Sequence, residues 1–236
     1  MSFSKKIIIP LAFTLSLLII RIIMSNELTY IFLAWNLFLA WIPFTLSQKL
    51  SKLNNRWKIL FITALWLLFL PNAPYIITDF LHLKQRAPIP YWYDILLLFS
   101  AALNGLLLGL SSLLTVEKFL LNRYGSKVSG IIMLCSFFLC AFGIYIGRYL
   151  RWNSWDIIVN PGDVAGDILD RVFYPFDHFG TWAVTVLFGS FFYVMYYSIK
   201  NLINHKPNQF LIKWKLLSQE ILFIPCLIRG SCFLKQ

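Results

Sequence analysis

Four residues near the end of one apolar run have the types and spacing for chemistry. Tyr75, Asp79, His82 and Arg86 recur at i, i+4, i+7 and i+11. At 100° per residue a helix gathers them within about 60° of one face. A carboxylate and an imidazole on one face can exchange a proton, so Asp79 and His82 are the candidate catalytic acid–base pair. Tyr75, with Asn72 a turn earlier, is placed to hold a polar ligand. A purely interfacial helix, its polar side in water or headgroups, has the same stripe without any chemistry.

A second polar cluster follows a later apolar run. Arg148, Arg151 and Trp155 share a helical face at i, i+3 and i+7, with Asn153 and Asp156 beside them. An arginine at the end of a membrane span is costly unless it is paired or reaches the interface. Its planar fork matches a carboxylate or a phosphate. Arg148 and Arg151 are therefore candidate clamps for an anionic group, and Asn153, Asp156 and His178 extend the candidate binding set. The protein's own alternatives are Asp79 or Asp156 as the arginine's partner, or simple snorkelling. His82 and His178 stand outside His-x-x-x-His or Cys-x-x-Cys spacing, and Asp163, Asp167 and Asp170 form no EF-hand loop, so no metal site is expected. No phosphate loop or dinucleotide fingerprint occurs, and no cofactor is expected.

The elements that must position these residues follow from composition. Of 236 residues 59% are apolar, 18% aromatic and 13% charged, and the mean hydropathy is +0.70. A soluble globule of that composition would leave apolar surface uncovered, and a disordered chain would be richer in charge. Four cysteines make no disulfide scaffold. A bilayer core of about 30 Å takes about 20 apolar residues as helix. Six runs qualify: 7–24, 28–46, 59–77, 95–116, 130–149 and 181–199. The fold class is all-α, a polytopic membrane helix bundle of six transmembrane helices. Its first span reads as an uncleaved anchor, because no small-x-small cleavage site follows it.

Pro71 and Pro74 remove two backbone donors and free the carbonyls of Leu67 and Leu70, so the third span should break near its end. Such breaks survive at membrane depth where protein or a wet cavity satisfies the freed groups. Asn160-Pro161-Gly162-Asp163 starts a short helix, expected to lie on the outer surface. Asn36 and Asn104 fall near mid-membrane, where asparagines tie helices together. Ala101, Gly105 and Gly109, with Gly143 and Gly147, suit close helix packing.

With the N-terminus inside, fifteen of the 21 lysines and arginines fall in cytoplasmic segments. Both termini are then cytoplasmic, and residues 1–199 form the six-span domain. Residues 200–236 form a basic cytoplasmic tail in which Lys206, Lys213, Lys215 and Trp214 suit anionic lipid. Topology accounts for the positive charge, so no nucleic-acid partner is expected. The bilayer is the partner, with an anionic or lipid-linked substrate.

The runs PNAPYIITDFLHL at 71–83 and GIYIGRYLRWNSWD at 143–156 resemble a family of bacterial multi-span membrane proteins, domain of unknown function 1361. The likeness covers roughly 28–199. It implies a bacterial cytoplasmic membrane and a compact helical bundle, and brings no activity or catalytic residues. Three functions are compatible with these residues. One is an outer-face Asp/His/Arg site for an anionic or lipid-linked substrate, catalytic or not. The others are a small transporter or channel lined by the broken span, and a non-catalytic scaffold whose polar groups pair with one another.

Overall fold

A computed structural model describes residues 3–204. Lys206, Lys213, Trp214, Lys215, Cys226, Cys232 and the other residues of the expected basic tail after Asn204 lie outside the described residues. Two compact units divide the chain, Met1–Val194 and Met195–Gln236; the architecture below is that of the first.

Among the described residues all regular elements are helical. α1 is Phe3–Ser25, α2 Phe32–Leu50 and α3 Arg56–Phe69. The short α4, Asn72–Tyr75, leads into a 3₁₀ helix, Ile76–His82. α5 is Tyr91–Tyr149, α6 Asp156–Val159, α7 Pro161–Phe173 and α8 Phe179–Asn204. α3 starts on Asn55, whose side chain accepts from the amides of Trp57 and Lys58 and so satisfies two of the free donors at a helix start. α7 starts with Pro161 in its first turn, where a missing N–H costs nothing. The 3₁₀ helix ends at Leu83, whose backbone is extended (φ −66°, ψ 113°).

α5 has 59 residues. A straight helix of that length would run about 88 Å, nearly three bilayer cores of about 30 Å. Gly125, at φ +80° and ψ 176°, interrupts it. The two arms on either side of that glycine then pack on the same short stretch. Gly105 lies against the Ala73 carbonyl and Gly143 against the Pro71 ring, so closely that a Cβ would sit 2.3 and 2.6 Å from them. Residues 38 apart in sequence thus meet neighbouring residues, which requires the arms to run back along each other. The glycines of α5 therefore seat the Pro71–Pro74 turn between its arms.

Four helical stretches are long and apolar enough to cross a membrane: Ile7–Ser25, Arg56–His82, Tyr91–Tyr149 and Phe179–Ile203. The fold is inverted relative to a soluble protein. Ile8, Ile19, Ile23, Phe61 and Leu187 are exposed, whereas Arg21, Asp79 and Asp94 are at most 1% exposed. Apolar groups facing out and ionic groups facing in suit a solvent of lipid chains. Polar side chains join the helices inside. Asn104 donates to Thr14 Oγ1 at 2.8 Å and to the Pro10 carbonyl at 3.1 Å, tying α5 to α1. The Trp66 indole donates to Ser112 at 2.6 Å, and Ser112 donates to the Pro43 carbonyl at 3.0 Å.

Candidate functional site

Arg148, one residue from the end of α5, gathers the polar face of the 3₁₀ helix. Its Nη2 donates to Asp79 Oδ1 at 2.5 Å and its Nε to Thr78 Oγ1 at 2.7 Å. Its Nη1 lies 2.9 Å from His82 Nε2. A guanidinium only donates, so in this contact Nε2 accepts and the ring proton belongs on Nδ1. The guanidinium carbon stands 4.3 Å above the centre of the Tyr75 ring. The second Asp79 oxygen accepts from Asn36 Nδ2 of α2 at 2.8 Å. Arginine, aspartate and amide are thus held as one network in which Asp79 is buried and Arg148 and Asn36 are half-buried, the form in which a charge pair is tolerable away from water.

Local structure explains the convergence. At three residues per turn the 3₁₀ helix eclipses Asp79 and His82, presenting both to one guanidinium. Gly147 precedes Arg148 and lies against the Tyr75 ring, where a Cβ would be 3.3 Å from Cε2. The small residue lets the α5 backbone come close enough for its arginine to span Tyr75, Thr78, Asp79 and His82.

The structure brings Tyr75, Asp79, His82 and Arg148 together and distributes the other expected residues elsewhere. Arg86 lies beyond the end of the 3₁₀ helix, so the stripe does not extend to it; its guanidinium stands 5.7 Å from the Tyr30 ring instead. Arg151 is exposed, with φ +63°. Asn153 donates from its backbone and side-chain nitrogens to Asp156 Oδ2 at 2.6 and 3.1 Å. Asn72 donates to the Phe69 carbonyl at 3.0 Å and to Ser154 Oγ at 3.1 Å. His178 pairs with Asp170 at 2.6 Å.

Asn72, Tyr75 and Asn153 nevertheless share a surface. Together with Asn36 they line a cavity of about 450 Å³ whose remaining walls are mostly apolar, among them Trp35, Leu67 and Phe142. Val164 and Ile168 of α7 close one side of it. α7 is fastened there by the Trp152 indole, which donates to Asp167 Oδ2 at 2.6 Å, and by the Trp182 indole of α8, which donates to the Arg171 carbonyl at 3.1 Å. Asn36 and Tyr75 belong to both the cavity wall and the Arg148 network, so the ion pair stands directly behind that wall. Among the described residues no group of three histidine, cysteine or acidic side chains could hold a metal ion.

Thr78 and Asn36 complete the Arg148 network without having been legible as site residues. Thr78 falls off a stripe counted at α-helical spacing, and Asn36 had the plainer role of tying helices. A second buried pair also emerges. Arg21 of α1 donates from Nε to Asp94 Oδ1 at 2.8 Å, with its guanidinium 4.4 Å over the Tyr30 ring. Those partners are 73 residues apart, and no local pattern joins them.

Fold and site together define an all-α integral membrane protein with a buried arginine–aspartate network beside an apolar cavity. The chain belongs to the family described as protein of unknown function (DUF1361), which matches residues 35–195. That stretch holds Asn36, Asp79, His82 and Arg148, and excludes Arg21. No curated protein and no solved structure matches the chain.

Proposed function

We propose that this chain is a six-span protein of the bacterial cytoplasmic membrane that binds a lipid-linked substrate in the cavity beside Arg148, at the outer face. The observation that carries the reading is the cavity itself. It has the size of a small-ligand site, apolar walls for a chain, and a few amides and hydroxyls for a head group. Six crossings follow from the four apolar stretches when the arms of α5 are counted separately and α2 is added. The excess of lysine and arginine in the segments then assigned to the cytoplasm supports the orientation, and the two prolines support a third span that changes course before the site.

In this reading Arg148 works as a clamp within the protein. Its Nε, Nη1 and Nη2 each have a protein partner, and His82 Nε2 is occupied by the arginine, which favours binding over proton transfer. Arg151 is exposed and does not line the cavity, so it takes no part in the pocket itself. The cavity reaches Asn36, while Asn104 is engaged with α1, which favours a binding pocket over a path through the bundle.

The test is to purify the protein from its own membranes, extract what stays bound and identify it by mass spectrometry. Ala64 lines the cavity, and Ala64→Phe should remove most of the retained lipid. Leu60→Phe, at a position 62% exposed and outside the lining, should leave it unchanged. Equal lipid content in wild type and Ala64→Phe overturns the proposal.

A further inference from the structure

We infer that the head group taken by this cavity is uncharged and donates hydrogen bonds, as a sugar or polyol hydroxyl does; the inference rests on the lipid-binding reading and specifies its ligand. The argument concerns three amides on one wall. Asn36 gives its nitrogen to the Asp79 carboxylate, Asn153 gives its nitrogen to the Asp156 carboxylate, and Asn72 gives its nitrogen to the Phe69 carbonyl. Each of those partners can only accept, so the amide orientation is fixed by chemistry: nitrogen toward the partner, carbonyl oxygen left over. Neither Asn36 Oδ1 nor Asn72 Oδ1 is among the buried polar atoms that lack a partner. All three residues line the same cavity, which therefore offers a ligand amide carbonyls as acceptors, with a second N–H remaining on Asn36 and on Asn153.

Acceptors call for donors, and two donor classes differ in charge. No Asp, Glu, Lys, Arg or His side chain lines the cavity. Behind the wall Asp79 and Arg148 neutralise each other, Asp167 pairs with Arg171, and Asp156 is held by Asn153. A phosphate would find no cation and an ammonium no carboxylate among the lining side chains, so either charge would be desolvated without compensation. Hydroxyls fit on both counts. Tyr75, whose hydroxyl can donate or accept, lines the same space, whereas Ser154 Oγ already accepts from Asn72 and donates to the Leu68 carbonyl at 3.4 Å.

The probes are amphiphiles with one dodecyl tail and different head groups: a glucoside, the same glucoside with every hydroxyl methylated, a phosphate and a trimethylammonium. Binding to the full-length protein in nanodiscs is read by native mass spectrometry, with Ala64→Phe reporting what is bound outside the cavity. The glucoside should bind at least about ten-fold tighter than the methylated, phosphate and trimethylammonium probes, the equivalent of about 1.4 kcal/mol. Asn72→Leu should erase most of that preference; the methylation series on the wild-type protein stands without it. Equal binding of all four probes overturns this inference and leaves lipid binding intact, and tighter binding of the phosphate or the trimethylammonium does the same. If no probe binds in a manner sensitive to Ala64→Phe, the cavity reading fails and takes this inference with it.

Discussion

Arg148 and Asp79 are 69 residues apart in sequence and joined at 2.5 Å in the fold, with both side chains nearly removed from the surface. The contact closes α5 onto the 3₁₀ helix that follows Pro71 and Pro74 in the chain. Asn36 holds the carboxylate from the other side, so three elements meet at one oxygen pair. The structural value of such a pair lies less in its attraction than in the cost of leaving either charge alone.

Removing the charge of one partner should therefore be worse than removing both. Arg148→Ala leaves the Asp79 carboxylate with Asn36 alone, and breaking a buried pair in this way costs about 3–5 kcal/mol. The double variant Asp79→Asn with Arg148→Gln should melt closer to wild type than Arg148→Ala does. Thermal unfolding in detergent, arranged as a double-mutant cycle with both single variants, reads the coupling. Additive losses would show that the two residues do not act as a pair.

This network also marks the limits of sequence reading. Tyr75, Asp79, His82 and Arg148 were legible because polar residues inside apolar runs are costly and must meet something. Thr78 was hidden by the assumption of 3.6 residues per turn where the chain takes three. Arg86 falls on the stripe but beyond the helix, because a stripe says nothing of where its helix stops. Arg21 was legible only as a basic residue at a span end and Asp94 as a residue just before the next run. Their pairing is a tertiary fact that no periodicity encodes. α2 shows the converse. Its apolar run was read as a span, yet Asn36, Gln48 and Lys49 keep it from the stretches that qualify by length and apolarity alone.

The glycines of α5 offer a sharp contrast within one helix. A Cβ on Gly105 would sit 2.3 Å from the Ala73 carbonyl oxygen, a backbone atom that cannot step aside, whereas Gly130 has open space around it. Gly105→Ala should destabilise the fold by about 1–3 kcal/mol through overpacking. Gly130→Ala should be neutral or gain about 0.5–1 kcal/mol from helix propensity. Comparable melting shifts for the two variants would mean that the α5 arm does not press on the proline turn.

Tyr30 is fully buried with the Arg21 guanidinium 4.4 Å from its ring centre, and its hydroxyl reaches the His82 carbonyl only at 3.4 Å. The ring, more than the hydroxyl, should carry its contribution. Tyr30→Phe keeps the aromatic face beneath the cation and should cost little. Tyr30→Leu removes it and should cost about 1–2 kcal/mol more, the range of a desolvated cation–π contact. Melting curves of the two variants decide the matter; equal losses would assign the effect to the hydroxyl instead.

The orientation and the status of α2 can be tested together by labelling. In a background lacking the four native cysteines, single cysteines are placed at Ser51, in the exposed turn after α2, and at Gly162, in the exposed first turn of α7. With cytoplasmic termini and six spans, Gly162→Cys reacts with a membrane-impermeant maleimide added to intact cells, and Ser51→Cys reacts only after the membrane is opened. The two positions report different things. If α2 does not cross, the chain leaves α1 on the outer side and stays there, so Ser51→Cys is labelled from outside while α3 carries the chain inward. Labelling of Ser51→Cys in intact cells would thus remove α2 from the spans, and with it the assignment of Lys49, Lys52, Arg56 and Lys58 to the cytoplasm. Protection of Ser51 with labelling of Gly162 leaves three crossings or another odd number between the two sites. That parity is met by α3 with the two arms of α5, and it puts α7, whose Val164 and Ile168 line the cavity, on the outer side.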